Sequence, residues 1–223
     1  MKNNLATIDL KEIANKRVIL RVDFNVPVKN GKVQDDFKIE RALPTIDFLL
    51  KYKCKIVLLS HFGRPEGKRI KDLSLLPVVK ELKKKLKKIK IDFLTEKVGH
   101  QLLKKINESF KKNDLVVLEN IRFEKGEDEN DSQLAIRLAK LGDVFVNEAF
   151  ATAHRKNAST VGLAKLLPSY AGFNFASEVK FLTKAYFNNS CCISTESNFS
   201  KILVFISYKN IGSSDLKLSQ IKV

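Results

Sequence analysis

The chain has 223 residues, of which 44% are hydrophobic, and it carries a formal net charge of +16. This composition supports one domain with an apolar core and an extension, and the lack of any apolar run of about 18 residues argues against a membrane span. The first residues lack the continuous apolar segment of a secretory signal, and the three cysteines include the neighbours Cys191 and Cys192, so we expect a cytoplasmic protein without a disulfide framework.

The predicted elements alternate between strands and helices along the chain. Short continuous apolar runs predict strands at residues 17–23, 54–60, 89–94, 114–120 and 143–150. Apolar residues at helical spacing predict helices at residues 38–52, 74–88, 97–110, 131–141 and 158–167. This alternation predicts an α/β fold, a three-layer Rossmann-like domain whose mostly parallel sheet has helices on both faces.

Polar residues and prolines mark several of the predicted helix ends. Ser74 is a candidate N-cap with Pro77 in the first turn of its helix, and Asn130 and Asp131 are candidate caps of the fourth helix. Pro44 is expected either to kink the first helix or to mark its true start.

Four of the predicted strands are followed at once by polar or charged clusters, which read "DFNVP", "SHFGRP", "ENIRFEKGE" and "NEAFATAHR". The carboxyl ends of parallel strands lie along one edge of a sheet, and ligands bind in the crevice beyond that edge. We therefore expect side chains from all four clusters to converge, with Arg21 joining them from just inside the first strand. The converging residues are Asp23, Asn25, His61, Arg64, Arg122, His154 and Arg155.

Several arginines and two histidines with few acids are typical of a site for an anion. The arginine guanidinium keeps its charge, and its planar fork matches a carboxylate or a phosphate. Gly63 lets the backbone approach closely beside His61, while Asp23 and Asn25 would orient hydroxyl groups or hold an arginine. The expected ligand is small and carries both phosphate and carboxylate, although each cluster taken alone is also compatible with an ordinary turn, helix cap or loop salt bridge.

The segments "RVDFNVP", "SHFGRP", "LENIRFEKGE" and "VNEAFATAHRKNAS" resemble the successive signatures of the phosphoglycerate kinase family in order and spacing. The resemblance extends from residue 5 to about residue 182, which corresponds to the amino-terminal domain of that family. It implies a two-domain, typically monomeric kinase of glycolysis. This enzyme transfers a phosphoryl group between 1,3-bisphosphoglycerate and ADP, giving 3-phosphoglycerate and ATP. In the family, the amino-terminal domain binds phosphoglycerate and the carboxy-terminal domain binds ATP or ADP with magnesium.

The resemblance also implies a set of substrate-binding residues, which includes all the positions already expected to converge. Phosphoryl transfer of this kind depends on positioning and charge neutralisation more than on covalent help. The implied substrate-binding residues are Arg21, Asp23, Phe24, Asn25, Lys38, His61, Phe62, Gly63, Arg64, Arg122, His154 and Arg155.

Lys38 departs from the pattern of the family. The family's "DDTRI"-like segment reads "DDFKI" at residues 35–39, so Lys38 stands where the family has its catalytic arginine. Lysine supplies charge without the bidentate fork, so we expect a weaker clamp on a transferring phosphoryl group. Milder departures are Glu148, where the family usually has Asp, and Ala151, where it usually has Gly.

The end of the chain departs further. Residues 176–186 begin like the family's interdomain helix. The resemblance therefore implies a phosphoglycerate-binding domain at residues 1–180. It also implies a helix remnant with a divergent tail at residues 181–223. A strand is plausible at residues 201–210, but the family's glycine-rich turn is absent there. Phosphate-cradling turns need glycine so that backbone N–H groups face the anion. We therefore expect the tail to be a truncated or frame-shifted remnant, or a short extension, and this chain alone to be a fragment without a nucleotide site.

Two other functions stay open at this point. The positive charge favours anionic partners in general, so the chain could be a basic nucleic-acid-binding protein. Most lysines, however, lie on the polar face of helical runs such as residues 80–90, and neither zinc-finger spacing nor an aromatic RNA-binding motif is present, so nucleic acid is the less favoured partner. The chain could also be a non-catalytic binder of small phosphorylated acids.

Overall fold

The computed structural model describes residues 5–188, with side chains up to residue 184. Its strands are β1 Arg17–Arg21, β2 Val28–Lys29, β3 Lys32–Val33, β4 Lys55–Leu59, β5 Ile91–Leu94, β6 Leu115–Leu118, β7 Val144–Asn147 and β8 Ser169–Ala171. Its α-helices are α1 Leu10–Ile13, α2 Phe37–Lys51, α3 Leu76–Lys85, α4 His100–Ser109, α5 Ser132–Ala139, α6 Leu163–Leu166 and α7 Phe173–Asn188. Short 3-10 helices lie at Lys71–Leu73, Ile121–Phe123 and Phe150–Thr152, and a π-helical turn at Ala158–Gly162 leads into α6.

Six of these strands form one parallel sheet in the order β5-β6-β4-β1-β7-β8, and β2 and β3 form a separate antiparallel hairpin. The four strands that precede the polar clusters, β6, β4, β1 and β7, are neighbours in the middle of this sheet. The predicted α/β architecture is therefore confirmed, and the clusters leave the sheet side by side along one edge.

The sheet is buried on both faces, which explains why its strands read as continuous apolar runs. In β1, Val18 and Leu20 belong to the apolar core that contains residues of α2 and α3, whereas Ile19 belongs to the core that contains residues of α4, α5 and α6. Alternate residues of a strand point to opposite faces. Two core layers therefore hold the central strands, and hence the loops that follow them, in fixed positions.

Helix ends follow the predicted signals with some shifts. The helix α2 begins at Phe37 and continues through Pro44, so the proline does not mark its start. The helix α3 begins at Leu76, two residues after Ser74, because a 3-10 helix precedes it, and the Ser74 hydroxyl still accepts the Leu76 N–H at 3.2 Å. Asp131 is confirmed as a cap, since its carboxylate accepts a backbone N–H of the first turn of α5 at 2.7 Å.

Three elements were not predicted from the sequence: α1, the β2–β3 hairpin and β8. Each has two to four residues, which is too short for a periodic pattern to show. The helix α7 continues across residue 180, where the sequence predicts a division of the chain. Residues from 189 onward, with the strand expected at 201–210, lie outside the described residues. The division at residue 180 therefore stays a prediction. Within the described part of the chain, the helices are all too short or too polar to cross a membrane.

Glu148 anchors the start of α7. It follows β7 directly, is 4% exposed, and accepts the Asn174 N–H at 2.8 Å through Oε1. The backbone of Gly172 lies so close that an added Cβ would fall 1.6 Å from Glu148 Oε2. The Thr45 hydroxyl of α2 accepts the Phe173 N–H at 3.0 Å, so α2, β7 and α7 meet at this junction.

The carboxyl of Glu148 makes stability depend on pH. Burial raises its pKa from 4.5 to about 7, against the lowering effect of the α7 backbone N–H groups and Thr45. Since the folded-state pKa is the higher one, the protonated carboxyl stabilises the fold fully below about pH 4.5, and this contribution is lost as the pH rises to about 7. Between pH 5 and pH 8 we expect the titration of this group to reduce the free energy of unfolding by about 2–3 kcal/mol.

Glu148→Gln is therefore expected to remove this part of the pH dependence, as measured by urea denaturation at pH 5 and pH 8. Glu178→Gln, at a carboxylate of α7 whose side chain is 39% exposed, is the matched control and should leave the wild-type dependence in place. An unchanged pH dependence in the Glu148 variant would show that this carboxyl titrates at its ordinary value.

Candidate functional site

An open cleft of about 320 Å³ lies at the edge of the sheet where the central strands end. Its lining comes from the segments that follow β1, β4, β6 and β7 and from the first turn of α2. The lining residues are Asp23, Asn25, Lys38, His61, Gly63, Arg64, Arg122, Ala151, Thr152 and Arg155. Residues more than 130 positions apart in the sequence therefore meet in one cleft, as the order of the strands requires.

Asn25 and Gly63 join the loops after β1 and β4. The Asn25 side-chain oxygen accepts the Gly63 N–H at 3.0 Å. Gly63 has a φ of +60°, and a Cβ at this position would fall 2.7 Å from the Leu73 side chain. A left-handed backbone without space for a side chain requires glycine here.

Arg122 is held rigidly although it faces the cleft. It is 4% exposed, its Nη1 donates to the Gly63 carbonyl at 2.8 Å, and its Nε lies 3.2 Å from the Asp128 carboxylate. The guanidinium therefore keeps one orientation and would lose little conformational entropy on binding an anion.

Lys38 is paired with the one carboxylate of the cleft lining. Its Nζ lies 2.8 Å from Asp23 Oδ2 and 3.2 Å from the Asn25 carbonyl oxygen. The other Asp23 oxygen accepts the Asn25 N–H at 3.1 Å. With Arg64, Arg122 and Arg155, the lining holds four cations and a single carboxylate, which makes it a site for an anion of more than one charge.

His61 is neutral among these cations. Burial, and then the charges of Arg21, Arg122, Lys38 and Arg155, lower its pKa from 6.5 to about 2. The distance of 3.9 Å between His61 Nδ1 and Asp23 Oδ1 is thus not an ion pair, because the imidazole carries no charge. His61 offers the cleft a neutral hydrogen-bonding group.

Known proteins resemble this chain in sequence and in fold. The sequence matches the family model "Phosphoglycerate kinase" over residues 8–193. Phosphoglycerate kinase of Thermosipho africanus is 48% identical over 187 residues, which are 84% of this chain and 45% of that protein. The enzyme of the Wolbachia strain wRi is 44% identical over 182 residues, which are 82% of this chain and 45% of that protein. This chain belongs to the phosphoglycerate kinase family.

Solved structures of the family share the fold. Phosphoglycerate kinase from Coxiella burnetii superposes with a TM-score of 0.68 at 42% identity and covers 78% of this chain and 43% of its own. The enzyme from Pyrococcus horikoshii superposes with a TM-score of 0.70 at 31% identity and covers 81% of this chain and 45% of its own. The chain spans about half the length of the phosphoglycerate kinases it matches.

Four residues assigned to the substrate site by family resemblance do not line the cleft with their side chains. Phe24 and Phe62 are 1% and 8% exposed and pack into the core, while Arg21 is 1% exposed and lies beneath His61. His154 is exposed outside the lining, with Nε2 3.4 Å from Arg155 Nε. The cleft geometry gives no support for ligand contacts through these four side chains, and their assignment to the substrate site stays a prediction.

Asn120 is a residue that sequence reasoning missed. Its Oδ1 accepts the N–H groups of Phe62 and Arg122, both at 3.1 Å, and its Nδ2 donates to the carbonyls of Phe62 and Leu73 at 2.7 and 2.9 Å. One buried amide thus fixes the loops after β4 and β6 relative to each other. The available signal was an asparagine at the end of an apolar strand, directly before "IRF".

Groups that could hold a metal ion are scarce among the described residues. Between residues 5 and 188 no group of three or more His, Cys, Asp or Glu side chains could hold a metal ion. The cleft lining offers one carboxylate, Asp23, and that group is already paired with Lys38. Mg²⁺ prefers carboxylate and phosphate oxygens in octahedral geometry, and the described cleft lining supplies no free carboxylate for it.

Proposed function

We propose that this chain carries the phosphoglycerate-binding part of a phosphoglycerate kinase, and that its cleft binds 3-phosphoglycerate and 1,3-bisphosphoglycerate. The observation that supports this most strongly is the convergence of four cations and a neutral histidine on one small cleft, with a single, paired carboxylate. A three-carbon acid with anionic groups at both ends matches that charge, and guanidinium forks match its phosphate and carboxylate oxygens.

The proposed roles follow from the contacts of each residue. Arg64, Arg122 and Arg155 hold and neutralise the anionic groups, because each is a cation of the lining. Asp23 and Asn25 orient the hydroxyl of the substrate, since both are fixed through the short bonds that they make within the lining. The reaction breaks the bond between the acyl oxygen and the phosphorus and forms a bond from a β-phosphate oxygen of ADP to that phosphorus.

Lys38 is the proposed catalytic residue of this chain. It lies in the lining next to Asp23, and its ammonium can neutralise charge on the transferring phosphoryl group. ATP or ADP with magnesium would be held outside residues 5–188, since the described residues lack a metal-binding group of side chains. Turnover would then require both parts to be brought together.

Isothermal titration calorimetry of the chain tests this proposal. We expect 3-phosphoglycerate to bind at one site and ATP with magnesium to give no binding heat, with glycerate as the control ligand that lacks the phosphate. A chain that gives no heat with 3-phosphoglycerate would overturn the proposal. Heat with ATP together with measurable turnover would instead show that this chain also holds a nucleotide site.

Lys38→Arg is expected to raise the affinity for 3-phosphoglycerate by about threefold to tenfold, because a guanidinium can bond Asp23 and an anion at the same time. The lysine ammonium already bonds Asp23 and the Asn25 carbonyl, which leaves it one proton for a ligand. Calorimetry at fixed ionic strength measures the change, with Lys68→Arg, at an exposed position outside the lining, as the control. Equal affinity of the Lys38 variant and the wild type would refute this expectation.

A further inference from the structure

A continuous chain of buried polar groups lies behind His61. Glu127, Ser159 and Arg21 are each no more than 1% exposed. The Ser159 hydroxyl donates to Glu127 Oε1 at 2.5 Å, and the Ser159 N–H donates to Glu127 Oε2 at 2.9 Å. Arg21 Nε donates to Ser159 Oγ at 3.0 Å, and Arg21 Nη2 lies 3.3 Å from His61 Nδ1. We call these four residues the positioning chain.

The Arg21 guanidinium of the positioning chain determines which nitrogen of His61 carries the proton. A guanidinium has only N–H donors, so Arg21 can bond Nδ1 only if Nδ1 is bare and accepts. An Nδ1–H would point its hydrogen at the hydrogens of Arg21. The neutral imidazole of His61 therefore carries its proton on Nε2, the nitrogen that makes no hydrogen bond to the described residues.

The remaining charged groups around His61 do not reverse this preference. Asp23 would favour a proton on Nδ1, but its carboxylate is farther from that nitrogen, at 3.9 Å, and is already bonded by Lys38 and by the Asn25 N–H. Lys38, Arg122 and Arg155 approach from the other segments of the lining, and all are cations that keep the ring neutral. The orientation of Arg21 is thus the feature that selects between the two neutral forms.

We propose that Glu127 and Ser159 are positioning residues of the anion site: they hold the Arg21 guanidinium against His61 Nδ1, so that His61 presents Nε2–H to the bound anion. Neither residue lines the cleft, and both act through Arg21. The identity of the anion rests on the proposed function, whereas the protonated nitrogen of His61 does not.

The inference extends to how the site is assembled. Arg21 ends β1, His61 follows β4, Glu127 follows the 3-10 helix after β6, and Ser159 lies in the π-helical turn after β7. The positioning chain therefore connects the segments after β1, β4, β6 and β7, which also build the cleft, on the buried side of that cleft. The positioning chain begins at the buried carboxyl group of Glu127 and ends at the neutral imidazole of His61. The site therefore gains an N–H donor for an anion without a further cation in the lining.

Long-range ¹H–¹⁵N NMR of the histidine rings tests this proposal directly. The chain has three histidines, so His100→Gln and His154→Gln variants assign the signals. In the wild type we expect a single Nε2–H form of His61 between pH 5 and pH 9. In Ser159→Ala, Arg21 loses its acceptor, and we expect an Nδ1–H form to appear and the affinity for 3-phosphoglycerate to fall about tenfold.

Ser109→Ala is the matched control, because it also removes a buried hydroxyl with a hydrogen bond, accepted from Asn113 in that case, on α4. It should change neither the His61 signals nor the affinity. Should Ser159→Ala not fold, Glu127→Gln provides the second variant, since its amide cannot accept both Ser159 hydrogen bonds, and it should shift His61 in the same direction.

A wild type with the proton on Nδ1 would overturn the proposal, as would a folded Ser159→Ala variant with unchanged His61 signals. A wild type with the expected Nε2–H form that does not bind 3-phosphoglycerate would instead refute the proposed function and leave the positioning chain intact.

Discussion

Arg122→Met is expected to lower the affinity of the cleft for 3-phosphoglycerate by about 100-fold or more. Arg122 is a buried cation of the lining, and its contacts with the Gly63 carbonyl and with Asp128 fix its direction. Removing one partner of a buried, hydrogen-bonded charge pair costs about 2–5 kcal/mol in binding, and each factor of ten in affinity corresponds to about 1.4 kcal/mol. The methionine keeps the volume of the side chain but supplies neither the charge nor the fork.

Calorimetry at constant ionic strength measures this loss, with thermal unfolding to show that the variant is folded. Arg69→Met is the matched control, because Arg69 is also close to the loops after β6, stacks on Phe123 and donates to the Thr95 carbonyl, but lies outside the cleft lining. A loss below about fivefold for Arg122→Met, or an equal loss in the Arg69 variant, would show that charge in general and not this guanidinium holds the anion.

Arg21→Met is expected to destabilise the fold by about 3–5 kcal/mol, because it leaves buried partners of a removed charge without compensation. Arg21 is 1% exposed and contacts Ser159, the Val22 carbonyl and His61. Glu127, also 1% exposed, would keep its carboxylate in the interior without the nearby cation. Urea denaturation at pH 7 gives the free energy of unfolding.

Two further variants make this measurement decisive. Arg41→Met removes an exposed arginine that pairs with Glu178 at 3.1 Å, and it should cost no more than about 1 kcal/mol. The double variant Arg21→Met with Glu127→Gln should recover part of the loss, because it also removes the buried carboxylate. Burial raises the pKa of the Glu127 carboxyl, and the charge of Arg21 opposes this effect. An Arg21 variant as stable as the Arg41 variant would show that the fold does not need Arg21 to compensate the charge of Glu127.

The sequence predicted the parts of the molecule that depend on local pattern and on strand order. The alternation of apolar runs gave the parallel sheet, and the polar clusters after four strands gave Asp23, His61, Arg122 and Arg155 as members of one site. These inferences succeed because strand ends in a parallel sheet share an edge, whatever the details of packing.

The parts that were missed depend on the burial of polar groups. Glu127 lies in the run "EKGEDEND", which reads as a solvent-exposed acidic loop, yet its carboxylate is 1% exposed and bonded to Ser159. For Asn120 the sequence shows a polar residue at the end of an apolar strand, but not the four hydrogen bonds of its side chain. Phe24 and Phe62 show the converse, since the resemblance assigns both to the substrate site and yet both pack into the core. Only the three-dimensional packing separates these roles.

The position of β1 has a consequence for the chain as it is synthesised. On one side β1 pairs with β4, but its other neighbour, β7, begins at Val144, more than 120 residues later. A nascent chain whose residues from Val144 onward are still inside the ribosome lacks β7, the second neighbour of β1. It also lacks Arg155 of the cleft lining. Since a ligand stabilises only the state that binds it, a ligand of the cleft could protect the complete domain from proteases but not the growing chain.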